Sequence, residues 1–156
     1  ALPIYRWRAE LLAFIEASAD IVLANEAELT ALFETEDFDA AAERLAERVE
    51  VAAVTRGADG SVVISGDQRV AVAAFPVDKV IDTTGAGDQY AAGLLLGLAR
   101  GLSLVDAGKL GSLAASDAIA HWGPRPTTSL KPPAAEAGRA LRCRSPDRGS
   151  WSVFCG

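Results

Sequence analysis

The richest chemistry by residue type and spacing lies in Asp82, Thr83, Thr84, Gly85, Ala86, Gly87 and Asp88, where an apolar extended run gives way to a helical pattern. Small residues at a helix start leave the first backbone N–H groups unshielded, and the helix dipole adds roughly half an elementary positive charge aimed the same way. A phosphoryl group fits such a tip. Gly85 and Gly87 admit backbone conformations that a Cβ resists, so a phosphate oxygen can approach the main chain closely. Asp88 cannot serve that anion by attraction. A carboxylate beside an anion hole is suited instead to take a proton from an attacking hydroxyl while the amides hold charge on the transferring group. A plainer reading stands beside this one, because glycine before a helix and an acid in its first turn are also how many helices begin. The string is not a Walker A loop, since no Gly-Lys-Ser/Thr follows, and it lacks the third glycine of a dinucleotide fingerprint.

The elements that must position this loop follow from apolar spacing. Trp7, Leu11, Phe14 and Ile15 recur at helical intervals, and Ile21 to Ala24 is a short strand-like run. Asn25 can cap a helix beginning at Glu26. Phe38, Ala41, Ala42, Leu45 and Val49 form a second helical stripe. Val51 to Thr55, Ser61 to Ile64 and Val70 to Val72 read as three short strands, separated by glycine-bearing turns at Gly57 to Gly60 and Gly66 to Asp67, the last two forming a hairpin. A strand-like approach at Val77 to Ile81 leads into the loop, and Ala91, Leu94, Leu95 and Leu98 mark one face of the helix after it. Ala107, Leu110, Ala114 and Ala118 give a final helix a small-residue stripe, stopped by Pro124 and Pro126. Alternation of strand and helix predicts a layered α/β fold with a largely parallel sheet.

Composition narrows the partners. The chain has 156 residues, half of them hydrophobic and 23% charged, so one domain of ordinary size is expected. Its net charge of −6 disfavours nucleic acid and anionic lipid. No apolar run is long enough to span a membrane of roughly 30 Å. Neither a basic-then-apolar leader nor paired cysteines in the first 142 residues appear, so the cytoplasm is the expected location. From Lys131 onward the chain turns Arg- and Pro-rich, carries +3 against −9 for the rest, and holds Cys143 and Cys155. Residues 131–156 are therefore expected to be a disordered, frameshifted or otherwise aberrant tail.

With these motifs in place, the sequence resembles the PfkB, or ribokinase-like, family of sugar and nucleoside kinases, most closely its adenosine-kinase-like or general sugar-kinase branch. DTTGAGDQYAAG at Asp82 to Gly93 is similar to the family's C-terminal signature. ANEAE at Ala24 to Glu28 is similar to its N-x-x-E motif, and TRGADG at Thr55 to Gly60 to its T-x-G-x-x-G turn. The helix ending in HWGPRP stands where members close the adenine pocket, and the likeness covers about residues 5 to 130.

The resemblance implies ATP-dependent phosphoryl transfer to a sugar or ribonucleoside hydroxyl. It makes Asp88 the catalytic base and the amides of Gly85, Ala86 and Gly87 the anion hole. Asn25 and Glu28 would organise Mg²⁺ through water, although Asn25 alone also reads as a plain helix cap. Thr55, Gly57 and Gly60 would border the nucleotide, with Ser112 and Ser116 along the adenine wall; a strand connection and tight helix packing are the plainer readings. A monovalent cation such as K⁺ would be held by Asp82 and Thr84, with backbone carbonyls near Ala118, His121 and Gly123. His121, the sole histidine, receives no catalytic role, since a lone His at a helix end usually meets the last carbonyls. A complete member is roughly twice this length, so the chain corresponds to the C-terminal half, and self-association or a complementing N-terminal half is expected. The alternative is a non-catalytic nucleotide-binding or assembly module derived from such a kinase.

Overall fold

A computed structural model describes residues 4–123, and the expectations for Pro124, Pro126 and the 131–156 tail lie outside them. The chain divides into two compact units, one running through Ala71 and the other starting at Val72.

The first unit opens with helix α1 (Ile4–Ser18) and strand β1 (Ile21–Asn25), followed by α2 (Glu26–Phe33), α3 (Phe38–Ala46) and strand β2 (Val51–Thr55). A short 3₁₀ turn at Gly57–Asp59 leads to β3 (Ser61–Ser65), and β4 (Gln68–Val72) completes a four-stranded sheet in the order β1-β2-β3-β4. The β1–β2 pair is parallel, as a crossover through two helices requires. The β2–β3 pair is antiparallel, because the short turn between them can only reverse the chain. Among the described residues the sheet is therefore mixed, with β1 and β2 parallel and β3 antiparallel to β2. Among the described residues β1 lies at the edge of this sheet.

Apolar residues of α1, α2 and α3 close over one sheet face. Leu29, Leu45 and Val54 are fully buried in a core with Ile15, Phe33, Phe38 and Ile64. Burying each such side chain stabilises the fold by about 1.5–3 kcal/mol. α1 is kinked at Trp7, whose backbone (φ −120°, ψ 20°) departs from the helical values, and the rings of Trp7 and Phe14 stay exposed, at 53% and 61%. Asp37 caps α3 by accepting the Ala40 N–H at 3.0 Å.

In the second unit the helices α4 (Ala86–Ala99) and α5 (Leu104–Ile119) pack against each other. Their contact runs through glycines. A Cβ on Gly93 would stand 2.5 Å from the Leu110 carbonyl oxygen, and one on Gly97 would stand 2.7 Å from the Ala107 Cα. The buried face of α4 is thus Tyr90, Gly93, Leu94 and Gly97, while Leu95, expected to face inward, is 41% exposed. Ala107, Leu110, Ala114 and Ala118 on α5 are buried as their spacing predicts.

Val77 to Ile81 is not a strand. An extended segment becomes one only by pairing, and here the Ile81 N–H donates to the Ile119 carbonyl at the end of α5 instead. Among the described residues, no helix is long and apolar enough to cross a membrane.

Candidate active site

The sequence motifs fall on both units, and each set has its own geometry. In the first unit, the parallel register sets Asn25 opposite Thr55, so the N-x-x-E and T-x-G-x-x-G motifs meet where β1 and β2 end. Carboxyl ends of parallel strands are where α/β sheets bind ligands. Asn25 is extended (φ −92°, ψ 166°) and caps α2. Its Oδ1 accepts the Glu28 N–H at 2.8 Å, and the Asn25 N–H donates to Glu28 Oε2 at 3.0 Å. This reciprocal capping box fulfils the plainer reading of Asn25 and engages one Glu28 carboxylate oxygen. Glu28 Oε1 lies outside the cap.

The turn after β2 is closed by its own backbone. The Arg56 N–H donates to the Gly60 carbonyl at 2.8 Å, and the Gly60 N–H donates to the Gly57 carbonyl at 3.2 Å. Gly57 (φ 57°) and Gly60 (φ 88°) occupy the left-handed region, which explains the glycine spacing conformationally. Arg56 escaped the sequence reading. Its guanidinium pairs with Glu26 in the first turn of α2 at 3.0 Å and lies over the Phe38 ring, 4.2 Å from the centroid. The available signal was an arginine directly after a strand, with an acid opening the helix after the neighbouring strand.

In the second unit, the DTTGAGD loop turns on Gly85 (φ 79°, ψ 1°), the N-cap of α4. The Ala86 N–H donates to the Thr83 carbonyl at 3.2 Å, and the helical ladder begins with Gln89 N–H to the Gly85 carbonyl at 2.9 Å. No side chain caps this helix. The amides of Gly87 and Asp88 thus precede the ladder, while that of Ala86, one of three expected in the anion hole, is used by the turn. Space above Gly87 is open, with no atom within 4 Å of the point where a Cβ would stand. Asp88 is exposed in the same first turn.

Asp82 ties the loop to the end of α5. Its Oδ1 accepts the Thr84 N–H at 2.9 Å, and its Oδ2 accepts the Gly123 N–H at 3.4 Å. The Thr84 hydrogen bonds, helped by Gly123 and His121, hold the Asp82 carboxyl below the usual carboxylate range against a smaller opposing effect of burial. Asp82, Thr84, His121 and Gly123 are therefore neighbours. His121 Nε2 lies 3.8 Å from Asp117 Oδ2, and Ala118 is fully buried in the last turn of α5.

The two serines are used by the fold. Ser112 Oγ donates to the Ala73 carbonyl at 3.2 Å and accepts the Phe75 N–H at 2.7 Å, which pins the segment before the loop onto α5. Ser116 Oγ donates to the Leu113 carbonyl at 2.8 Å. Ser116 nevertheless borders a cavity of about 440 Å³ with Val77, Ile81 and Leu113. Ser112 borders one of about 410 Å³ with Phe75 and Leu110.

Few protein atoms are on offer to a metal. Among the described residues, no group of three or more His, Cys, Asp or Glu side chains forms a metal cluster. The Asn25–Glu28 pair offers one carboxylate oxygen, which suits a hydrated Mg²⁺ that takes one or two carboxylates and the substrate phosphates. Around Asp82 the carboxylate oxygens already accept the N–H groups of Thr84 and Gly123.

Comparisons with known proteins bear on the family and the fold. An uncharacterised sugar kinase of Archaeoglobus fulgidus is 42% identical over 107 residues, covering 67% of this chain and 42% of the relative. The crystal structure of adenosine kinase from Sinorhizobium meliloti superposes with a TM-score of 0.80 at 50% identity, covering 86% of this chain and 41% of that one. The nucleoside kinase of Methanocaldococcus jannaschii, an archaeal member of the ribokinase family, superposes with a TM-score of 0.68 at 28% identity, covering 85% and 44%. The chain thus spans about two fifths of the length of these proteins, and its α/β architecture is ribokinase-like. The model of the pfkB family carbohydrate kinases matches residues 2–130, and on that match the chain belongs to this family.

Proposed function

We propose that the chain carries the nucleotide-binding and catalytic part of an ATP-dependent kinase whose acceptor is a hydroxyl of a sugar or ribonucleoside. The observation that carries this reading is the start of α4, where amides precede the helical ladder beside an exposed carboxylate, Asp88. Asp88 accepts the proton of the acceptor hydroxyl, whose oxygen bonds to the γ-phosphorus as the bond to the β–γ bridging oxygen breaks. ADP leaves with that electron pair. The amides of Gly85, Gly87 and Asp88 stabilise the charge on the group in transit. Thr55, Gly57 and Gly60 border the nucleotide, and the cavity beside Ser116 takes the base.

Asn25 and Glu28 would hold Mg²⁺ through water, and Asp82 and Thr84, with the carbonyls of Ala118, His121 and Gly123, would hold a monovalent cation. Bound there, the two ions would supply positive charge beside the phosphates and the loop. The acceptor class follows the relatives, which are named as sugar, nucleoside and adenosine kinases.

Calorimetry with ATP and Mg²⁺, followed by a transfer assay over sugars and nucleosides, tests the proposal. Binding with transfer supports it. Binding without transfer favours the non-catalytic nucleotide-binding module, and absence of binding overturns both.

A further inference from the structure

The turn from Gly57 to Gly60 carries two glycines in the left-handed region, and Gly57, Ala58 and Asp59 are exposed. Glycine-rich turns lose more conformational entropy on ordering than others, so a turn that must meet a ligand in one shape needs an anchor. Arg56 has the geometry of one. Its backbone closes the turn by donating to Gly60, while its side chain reaches thirty positions back along the sequence to Glu26 at 3.0 Å. The planar guanidinium also lies over the ring of Phe38, the first residue of α3. One side chain therefore joins the turn to the first turn of α2 and the start of α3. The acid it holds, Glu26, immediately follows Asn25, so the same contact bears on the helix tip that carries the capping box.

An exposed ion pair alone contributes little to stability, typically about 0–1 kcal/mol. Stacking and ion pairing together instead fix orientation, which a planar arginine does and a lysine does not. We propose that Arg56 is a positioning residue that holds the 57–60 turn and the α2 tip in a common nucleotide-ready arrangement through Glu26 and Phe38. This inference rests on the nucleotide-binding reading above.

Its test compares the wild-type chain with Arg56→Gln, Arg56→Lys and the milder Glu26→Gln, using ATP with Mg²⁺ as the probe. Calorimetry should show a roughly 5- to 20-fold weaker Kd for Arg56→Gln, a smaller loss for Glu26→Gln, and losses in the double variant that fall short of additive. Arg56→Lys should recover part of the loss by restoring the charge without the planar stack. Hydrogen exchange should speed up at the Arg56 and Gly60 amides in Arg56→Gln, with the melting temperature little changed. Equal Kd values in wild type and Arg56→Gln, or unchanged exchange in the turn, would overturn the inference while leaving the nucleotide-binding reading intact. A wild-type chain that binds no nucleotide overturns that reading itself, and the positioning role falls with it.

Discussion

At the end of β1, Asn25 and Glu28 satisfy each other, donor to acceptor, at 2.8 and 3.0 Å. At the start of α4 the opposite holds: no side chain caps the helix, Gly87 opens onto empty space, and Asp88 is exposed. Both are helix N-termini, the first directly after a strand and the second after a turn at Gly85, so both present the positive end of a dipole. The first uses that end on its own residues and gains helix stability, about 1 kcal/mol for a good cap. The second forgoes the gain and leaves the amides of Gly87 and Asp88 ahead of the helical ladder. A helix tip uncapped by its own sequence, in a fold that caps α2, α3 and α5 with side chains, is the more informative of the two.

The sharpest way to break the comparison is at Asp88. If its carboxylate is the base, Asp88→Asn in the catalytically active enzyme should lower kcat by about 10²–10⁴-fold, with ATP affinity close to wild type. Transfer kinetics beside calorimetry measure both quantities. Wild-type kcat would reduce Asp88 to a first-turn helix acid.

The glycines of α4 sharpen the same point, because Gly87 and Gly93 sit on one helix with opposite surroundings. Gly93→Ala drives a methyl against the Leu110 backbone, which cannot yield without parting the helices, and should cost about 1–3 kcal/mol in thermal unfolding. Gly87→Ala meets nothing within 4 Å and should leave the melting temperature near wild type. Its new methyl projects beside the open amides, so nucleotide affinity should fall. Equal melting temperatures for the two variants would contradict the close approach of α4 and α5 at Gly93.

At the capped tip the expected effect is smaller. Asn25→Ala removes the acceptor for the Glu28 N–H and should cost about 1 kcal/mol. Asn25→Asp keeps an acceptor and should recover most of that loss, as denaturant unfolding would show.

Much of this contrast could be read in the residues beforehand, and its limits are physical. Short apolar runs such as Ile21 to Ala24 and Val51 to Thr55 found their strands because sheet pairing was available to them. Val77 to Ile81 has a similar apolar pattern and no strand partner among the described residues, so pattern alone misjudged it. The stripe through Leu95 failed for a related reason. Helix contact here is set by how closely two backbones approach through Gly93 and Gly97, which a count of apolar residues does not register. The turn at 82–88 was legible because Gly85 takes a positive φ at the start of α4, a conformation that favours glycine and so leaves a mark on sequence. Arg56 was not, because its partners Glu26 and Phe38 become neighbours only when the chain folds. Ser112 and Ser116 mark the same boundary: spacing placed them on a buried helix face, but only the fold shows that both hydroxyls serve backbone groups.

The smallest expected effect lies at Asp82, which shares the uncapped loop yet behaves like the capped tip, since both its oxygens accept backbone amides. Those bonds favour the charged form and lower its pKa in the folded state. The sign of the linkage follows. The carboxylate's contribution is fully present above the ordinary aspartate value of about 3.9 and is lost as pH falls through the lower, folded value. Wild type should therefore be more stable than Asp82→Asn at neutral pH, with the gap closing in acid. Solvent screening keeps the gap small, because the group is only partly covered. Parallel thermal melts from neutral pH down to about pH 2, below the ordinary aspartate range, measure it. A gap that widens on acidification would mean that the carboxyl is held above its ordinary range, and the amides of Thr84 and Gly123 would then not be its partners in solution.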